Sequence, residues 1–190
     1  MWDRAYDKTA VLQLIVPAKN EISTSTNKAT QTSGQGVAIG YNTGLGTGEA
    51  PTGHWIALPG MNRSINIYSA ENNLTITASG MLQLNNTTAG TNNQSHSYAI
   101  GLFVDDHLYS VRTFVITGRN GMTFLSQSWD IKANFDNLPP GNHAFSIYVR
   151  TRSNLAGNAT ELTWVGSAAG CSNINNDMAK GNLSVQSQQF

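Results

Sequence analysis

In FDNLPPGNHAFSIYVRTRS, residues 135–153, Phe145, Ile147 and Val149 alternate with Ser146, Tyr148 and Arg150. Upstream, Ile131, Ala133 and Phe135 alternate with Lys132, Asn134 and Asp136. A period of two is that of a β-strand with one buried face. Between the two runs, Pro140-Gly141 fits the central pair of a type II turn, because proline presets φ at the first position and glycine accepts positive φ at the second. Pro139 holds Leu138 extended. The pattern therefore predicts two paired strands of one antiparallel sheet, joined as a hairpin.

The same period recurs along most of the chain. It predicts strands at 12–16, 37–41, 54–58, 64–68, 74–78, 81–84, 98–104, 108–117, 122–135, 144–152, 162–165 and 183–188. The polar tract KNEISTSTNKATQTSGQG, residues 19–36, shows little periodicity, and no window carries an apolar stripe at helical spacing over three turns. Many short strands separated by turn signals predict an all-β chain, an antiparallel β-sandwich of jelly-roll-like form with a loop-rich N-terminal segment. Residues 51–190 are read as the sandwich domain. Residues 1–50 are read as an N-terminal arm or as peripheral strands of the same domain.

One strand breaks the alternation. Tyr98, Ile100, Leu102 and Val104 share one face, while Ala99, Gly101 and Phe103 share the other, so neither face is polar. Such a strand is covered on both sides. In a two-layer sandwich the second cover is a loop or another subunit, which makes Ala99, Gly101 and Phe103 candidates for an oligomer interface. Asp105-Asp106-His107 is read as the turn into the next strand.

Composition narrows the partners. The 190 residues carry 11 Lys and Arg against 11 Asp and Glu, and only 12% are charged, about half of ordinary usage. Without a surplus of cations no nucleic-acid face is expected, and nothing draws the chain to an anionic membrane or suggests insertion into one. Asn, Ser, Thr and Gly together make up about two-fifths of the chain. An uncharged polar surface of that kind suits an extracellular or particle-borne protein. Cys171 is the one cysteine, so no intrachain disulfide can form. The opening residues MWDRAYDKTAVLQLIVPA read neither as a leader peptide nor as a membrane span.

Candidate chemistry is sparse. GLGTGEAPTG lacks the Lys-Ser/Thr and the following helix that a phosphate cradle requires, and reads as a surface loop. Asp105-Asp106 and the 173–177 loop, with Asn173, Asn175, Asn176 and Asp177, offer oxygens to calcium but too little charge in one place. His54, His96, His107 and His143 are scattered without zinc spacing, and Cys171 has no nearby base. No metal, cofactor or catalytic residue is expected. Asn62, Asn73, Asn158 and Asn182 open Asn-x-Ser/Thr triplets, which are chance matches in a chain this rich in Asn and Thr. The aromatic residues Trp55, Tyr68, Tyr109, Tyr148 and Trp164 are the candidate binding residues, able to stack on sugar rings while Asn and Gln supply hydrogen bonds. For Trp55 and Trp164 core is the favoured reading.

The stretch GLFVDDHLYSVRTFVI followed by NLPPGNHAFSIYVRTRS, about residues 97–153, resembles jelly-roll modules of bacteriophage head fibres, tail fibres and capsid-decorating proteins. It is also similar, loosely, to C1q- and tumour-necrosis-factor-type head domains. The aromatic residues that mark true C1q heads are not found, and the first half matches neither group. The resemblance implies a homotrimer of sandwich protomers on a virion surface, contacting other virion proteins or a host-surface glycan. The reading is a non-enzymatic structural protein of a bacteriophage virion. A carbohydrate-binding module or lectin of cellular origin is the alternative, and a small glycan-processing enzyme would require a carboxylate pair that the sequence does not display.

Overall fold

The computed structural model describes residues 19–25, 29–32, 48–85, 94–119, 124–156, 161–166 and 178–190. The runs at 12–16 and 37–41, Cys171 and the 173–177 loop lie outside the described residues. Every regular element among the described residues is a strand: β1 (Lys19–Ser25), β2 (Ala29–Thr32), β3 (Ile56–Ile67), β4 (Asn72–Asn85), β5 (Gln94–Val104), β6 (His107–Gly118), β7 (Phe124–Asp136), β8 (Gly141–Ala156), β9 (Glu161–Trp164) and β10 (Gly181–Gln189).

All pairings are antiparallel. In the first sheet β1, β10, β4 and β7 lie side by side, and the short pair β2–β9 adds to the far half of β4. The second sheet runs β3, β8, β5, β6. With the β2–β9 addition set aside, consecutive strands cross between the sheets everywhere except at the β5–β6 hairpin. That path is an eight-stranded jelly roll. Leu74, Ile76, Ile131, Phe135, Leu183 and Val185 of the first sheet face Ile65, Tyr98, Ile100, Leu102, Phe145 and Ile147 of the second in one continuous core.

The 131–153 stretch is the main correction to the sequence reading. Its two alternating runs are β7 and β8, but β7 pairs with β4 in the first sheet and β8 with β3 and β5 in the second. They are two sides of an arch. Ile131, Ala133 and Phe135 look across the core at Phe145, Ile147 and Val149, so the period of two holds in both strands while each pairs within a different sheet. Gly141 has φ +147° and already belongs to β8, opposite Ile67, rather than closing a type II turn.

Asn72 clamps this arch. Its side-chain Nδ2 donates to the Leu138 carbonyl (2.8 Å) while its Oδ1 accepts from the Leu138 amide (3.0 Å). Leu138, 3% exposed, plugs the end of the core. On the other side the His143 ring stands between Asp105 Oδ2 (2.7 Å) and the Pro139 carbonyl (2.8 Å). Both neighbours are acceptors, so both ring nitrogens donate only when the ring is protonated.

Two further differences have local causes. The tract 19–36 contains β1 and β2 despite its weak periodicity, because both are borderline sequences recruited by neighbours: β1 lies along β10 and β2 along β9. The predicted breaks at Pro59-Gly60 and Ser79-Gly80 do not end strands either. The first is absorbed as a register shift between Ala57 and Asn62 in β3, and the second runs straight through β4, where the Trp129 ring lies over Gly80.

Candidate functional site

The outward positions of the first sheet carry short polar side chains in cross-strand rows. Register places Lys132, Thr77 and Ser184 in one row, and Asp130, Ser79 and Asn182 in the next. A third row holds Asn134, Thr75 and Gln186, with the Thr75 hydroxyl 3.1 Å from Asn134 Oδ1. Neighbours in such a row have Cβ atoms about 5 Å apart, so hydroxyl and amide groups recur along the rows among the methyl and methylene groups that make up most of the groove wall, and the first row ends on β1 in exposed Ile22 beside Ser184. The first two rows border a shallow groove of about 250 Å³, with Thr77 and Ser79 of the central strand as its floor.

Charge in this groove is uneven. The Asp130 carboxylate accepts a hydrogen bond from Arg112 NH1 (2.5 Å), and the same nitrogen reaches the Asp130 carbonyl (3.2 Å). Arg112 is itself held with its guanidinium 5.2 Å from the centre of the Phe114 ring. Arg112 thus compensates Asp130 from the β6 side, while Lys132 supplies the cation on the adjacent row. The pairing is exposed and worth little to stability, but it fixes where the local charges lie.

The aromatic candidates are dispersed. Trp164 is fully buried, edge-on to Tyr98 at 4.9 Å between ring centres. Tyr109 packs on Phe135 at 4.1 Å. Tyr68 stands 78% exposed in the link between β3 and β4. Trp55 and Tyr148 do meet, through Phe103: Trp55 is edge-on to Phe103 at 5.2 Å and Tyr148 tilts against it at 4.6 Å. This group is a second apolar cluster on the outer face of the second sheet, not an open platform, since Trp55 is 6% exposed. Burial, and to a smaller extent the Asp106 charge, raise the Tyr148 phenol above its ordinary pKa.

The same cluster accounts for the doubly apolar strand. Ala99, Gly101 and Phe103 are covered within the one chain by Trp55 and Leu108, with Val111 and Tyr148 packed alongside. A Cβ on Gly101 would sit 2.9 Å from Leu108 and Phe103 atoms and 3.0 Å from the Trp55 ring, so the close approach that glycine permits is used by this chain's own indole. Trp55 belongs to a strap, residues 48–55, fastened by Glu49. Glu49 Oε1 accepts from Trp55 Nε1 (2.5 Å) and from Arg150 NH1 (3.2 Å), while the Glu49 carbonyl accepts from the Leu108 amide. Arg150 is only 3% exposed and lies over the Trp55 ring. An interface through Ala99, Gly101 and Phe103 would first have to displace this strap.

Asp105-Asp106 forms the expected turn, both residues taking positive φ (50° and 62°) between Val104 and His107. The Asp105 carboxylate binds the Ala144 amide as well as His143, and so ties the β5–β6 turn to the start of β8. Among the described residues no three His, Cys, Asp or Glu side chains converge as metal ligands would. The polar rows on the first sheet went unrecognised in the sequence. Thr75, Thr77 and Ser79 alternate visibly, but their juxtaposition with Lys132 and Ser184 comes from strands about fifty and a hundred residues away.

No protein family matches the chain, and no curated protein does. Among solved structures it is similar to the VP2 subviral particle of infectious bursal disease virus, at 15% identity and a TM-score of 0.36, over 90% of this chain and 33% of that one. It is also similar to a family 35 carbohydrate-binding module from an environmental isolate, at 18% identity and a TM-score of 0.25, over 79% and 94% of the two chains. PorU from Porphyromonas gingivalis matches at 7% identity and a TM-score of 0.32, over 90% and 13%. The chain spans about a third of the VP2 chain it matches.

Proposed function

We propose that this protein is a non-enzymatic structural component of a bacteriophage virion, a capsid-decorating or fibre protein that touches a host-surface glycan. The observation that carries this reading is the outer face of the first sheet, where hydroxyl and amide side chains stand in register on a jelly roll held rigid by a continuous core. Such a face makes many neutral hydrogen bonds, each adding about 0.5–1.5 kcal/mol net. One copy binds weakly through them; an array of copies on a particle binds well through effective concentration. Three of the described carboxylates are engaged structurally: Asp105 with His143, Glu49 with Arg150 and Trp55, and Asp130 with Arg112. That supports a role without catalysis. Partners in this reading are other virion proteins and neighbouring copies of the chain on the particle.

Mass spectrometry of purified virions tests the reading. Peptides of this chain at stoichiometric abundance are expected, and their absence from particles would leave the second reading, a cellular carbohydrate-binding module. That alternative is favoured by the groove itself, which is large enough for a sugar residue whether or not a particle is involved.

A further inference from the structure

We infer that the groove over Thr77 and Ser79 selects an acidic saccharide, a sugar ring bearing a carboxylate, with Lys132 pairing the carboxylate and Thr77, Ser184 and Asn182 bonding to ring hydroxyls. The inference deepens the proposed glycan contact and rests on that reading. Three observations lead to it.

The groove holds about 250 Å³, below the roughly 300–1,000 Å³ usual for drug-sized ligands, so it accommodates a sugar residue or two rather than a large cofactor. Among the described residues its lining contains no aromatic ring. A neutral sugar commonly gains much of its affinity from stacking on an aromatic face, and here it would depend on neutral hydrogen bonds alone. Those exchange almost evenly with water.

The charge distribution supplies what stacking does not. Asp130 and Lys132 are the charged residues of the groove's described lining, and Asp130 is paired with Arg112, which approaches from the β6 side without lining the groove, so Lys132 is the charge left to face a ligand. Lys132 stands directly opposite Thr77, and Thr77 directly opposite Ser184. A carboxylate at Lys132 therefore places the attached ring over the Thr77 and Ser184 hydroxyls, with Asn182 on the neighbouring row. Hydrogen bonds to an ionised partner are about twice as strong as neutral ones, so the cation decides which sugar is preferred. The same side chains would repel no neutral sugar, but they would hold one weakly.

Titration of the full chain with glucuronic acid and with glucose, followed by amide nitrogen–proton NMR, tests this. Glucuronic acid is expected to shift the amides of residues 77, 132 and 184 at millimolar concentration, with glucose about two- to fivefold weaker, the worth of an exposed ion pair. Acetate, the carboxylate without the ring, should bind more weakly than glucuronic acid. Lys132→Gln, an exposed change that leaves the fold intact, should remove the preference for the acid, and Thr77→Val should weaken both sugars. Equal binding of both sugars by the natural chain, or no shift at these amides, overturns the inference. Virion membership is read separately: a chain found in particles that ignores glucuronic acid sinks the groove assignment alone. A chain that binds glucuronic acid at these residues but is absent from particles keeps the groove and loses the virion reading.

Discussion

Asn72 does for the arch what a strand partner does for a strand. Its amide donates to and accepts from the backbone of Leu138, 66 positions later, in a site where Asn72 is 2% exposed. Asn72→Ala leaves one buried N–H and one buried C=O without partners. Each such orphan costs about 1–3 kcal/mol, so urea unfolding should show a loss of about 2–6 kcal/mol, and Asn72→Asp, which keeps the acceptor but turns a buried carboxylate oxygen toward the Leu138 and Ser69 carbonyls, should not recover it. A second residue with a readable consequence is Tyr98, fully buried and donating to Gln127 Oε1 at 3.0 Å. Burial holds its phenol protonated well above the usual range. In the unfolded chain it ionises near pH 10. Below that pH both states keep the proton and Tyr98 adds no pH dependence. Above it the unfolded state releases a proton that the folded state retains, so stability falls as pH rises. Tyr98→Phe removes this term along with one hydrogen bond. The variant is therefore expected to be less stable than the natural chain near neutral pH and to close the gap above about pH 10; a gap constant to about pH 11 would place the hydroxyl in contact with water.

At the scale of elements, the strap at 48–55 shows how a charged group can be tolerated on an apolar face. Arg150 is buried over Trp55, and Glu49 accepts from both. Truncating Glu49 to Ala leaves a buried guanidinium short of its counter-charge, a loss of about 1–3 kcal/mol given that Glu49 is itself partly exposed. Replacing Arg150 with Met as well should restore part of that loss, because the pair then disappears together. Urea denaturation of the two single variants and the double variant checks the sign of the coupling. How much of this was legible follows from what each signal encodes. Periodicity located most strands from Tyr98 onward, and the apolar second face of β5 announced that something covers it. What covers it was not readable, because GEAPTGHW looks like any glycine-rich loop, and the Glu49–Arg150 pairing joins positions 101 apart. The tryptophans were legible only in part: Trp55 and Trp164 are buried, as the favoured core reading had it, but sequence does not reveal whether a polar indole tip finds a partner inside. For Trp55 it finds Glu49.

For the molecule as a whole, the sequence carried the class of fold but not its wiring. Alternation in β7 and β8 is the same whether the two strands pair in one sheet or face each other across a core, and only long-range pairing to β4 and to β3 and β5 separates these cases. The distinction bears on assembly. An unpartnered apolar face on β5 would have driven the chain to a trimer, yet the strap already occupies it. A stable interface removes about 800 Å² from each partner, and with Trp55 and Leu108 in place Ala99, Gly101 and Phe103 contribute almost none of that area, all three being buried. In dilute solution the chain is therefore expected to sediment at its own mass of 20.4 kDa, with copies meeting only where a particle concentrates them. The strap gives a way to test the cause. Glu49→Ala combined with Trp55→Ala and Arg150→Met unfastens it and bares Phe103 and Tyr148 without leaving the Arg150 charge unpaired beside them, so sedimentation equilibrium at micromolar concentration should show association that the natural chain lacks. A natural chain already at three times its mass would put the trimer contact on a different face, and a strap variant that stays monomeric would mean the bared cluster is too small to hold two copies together.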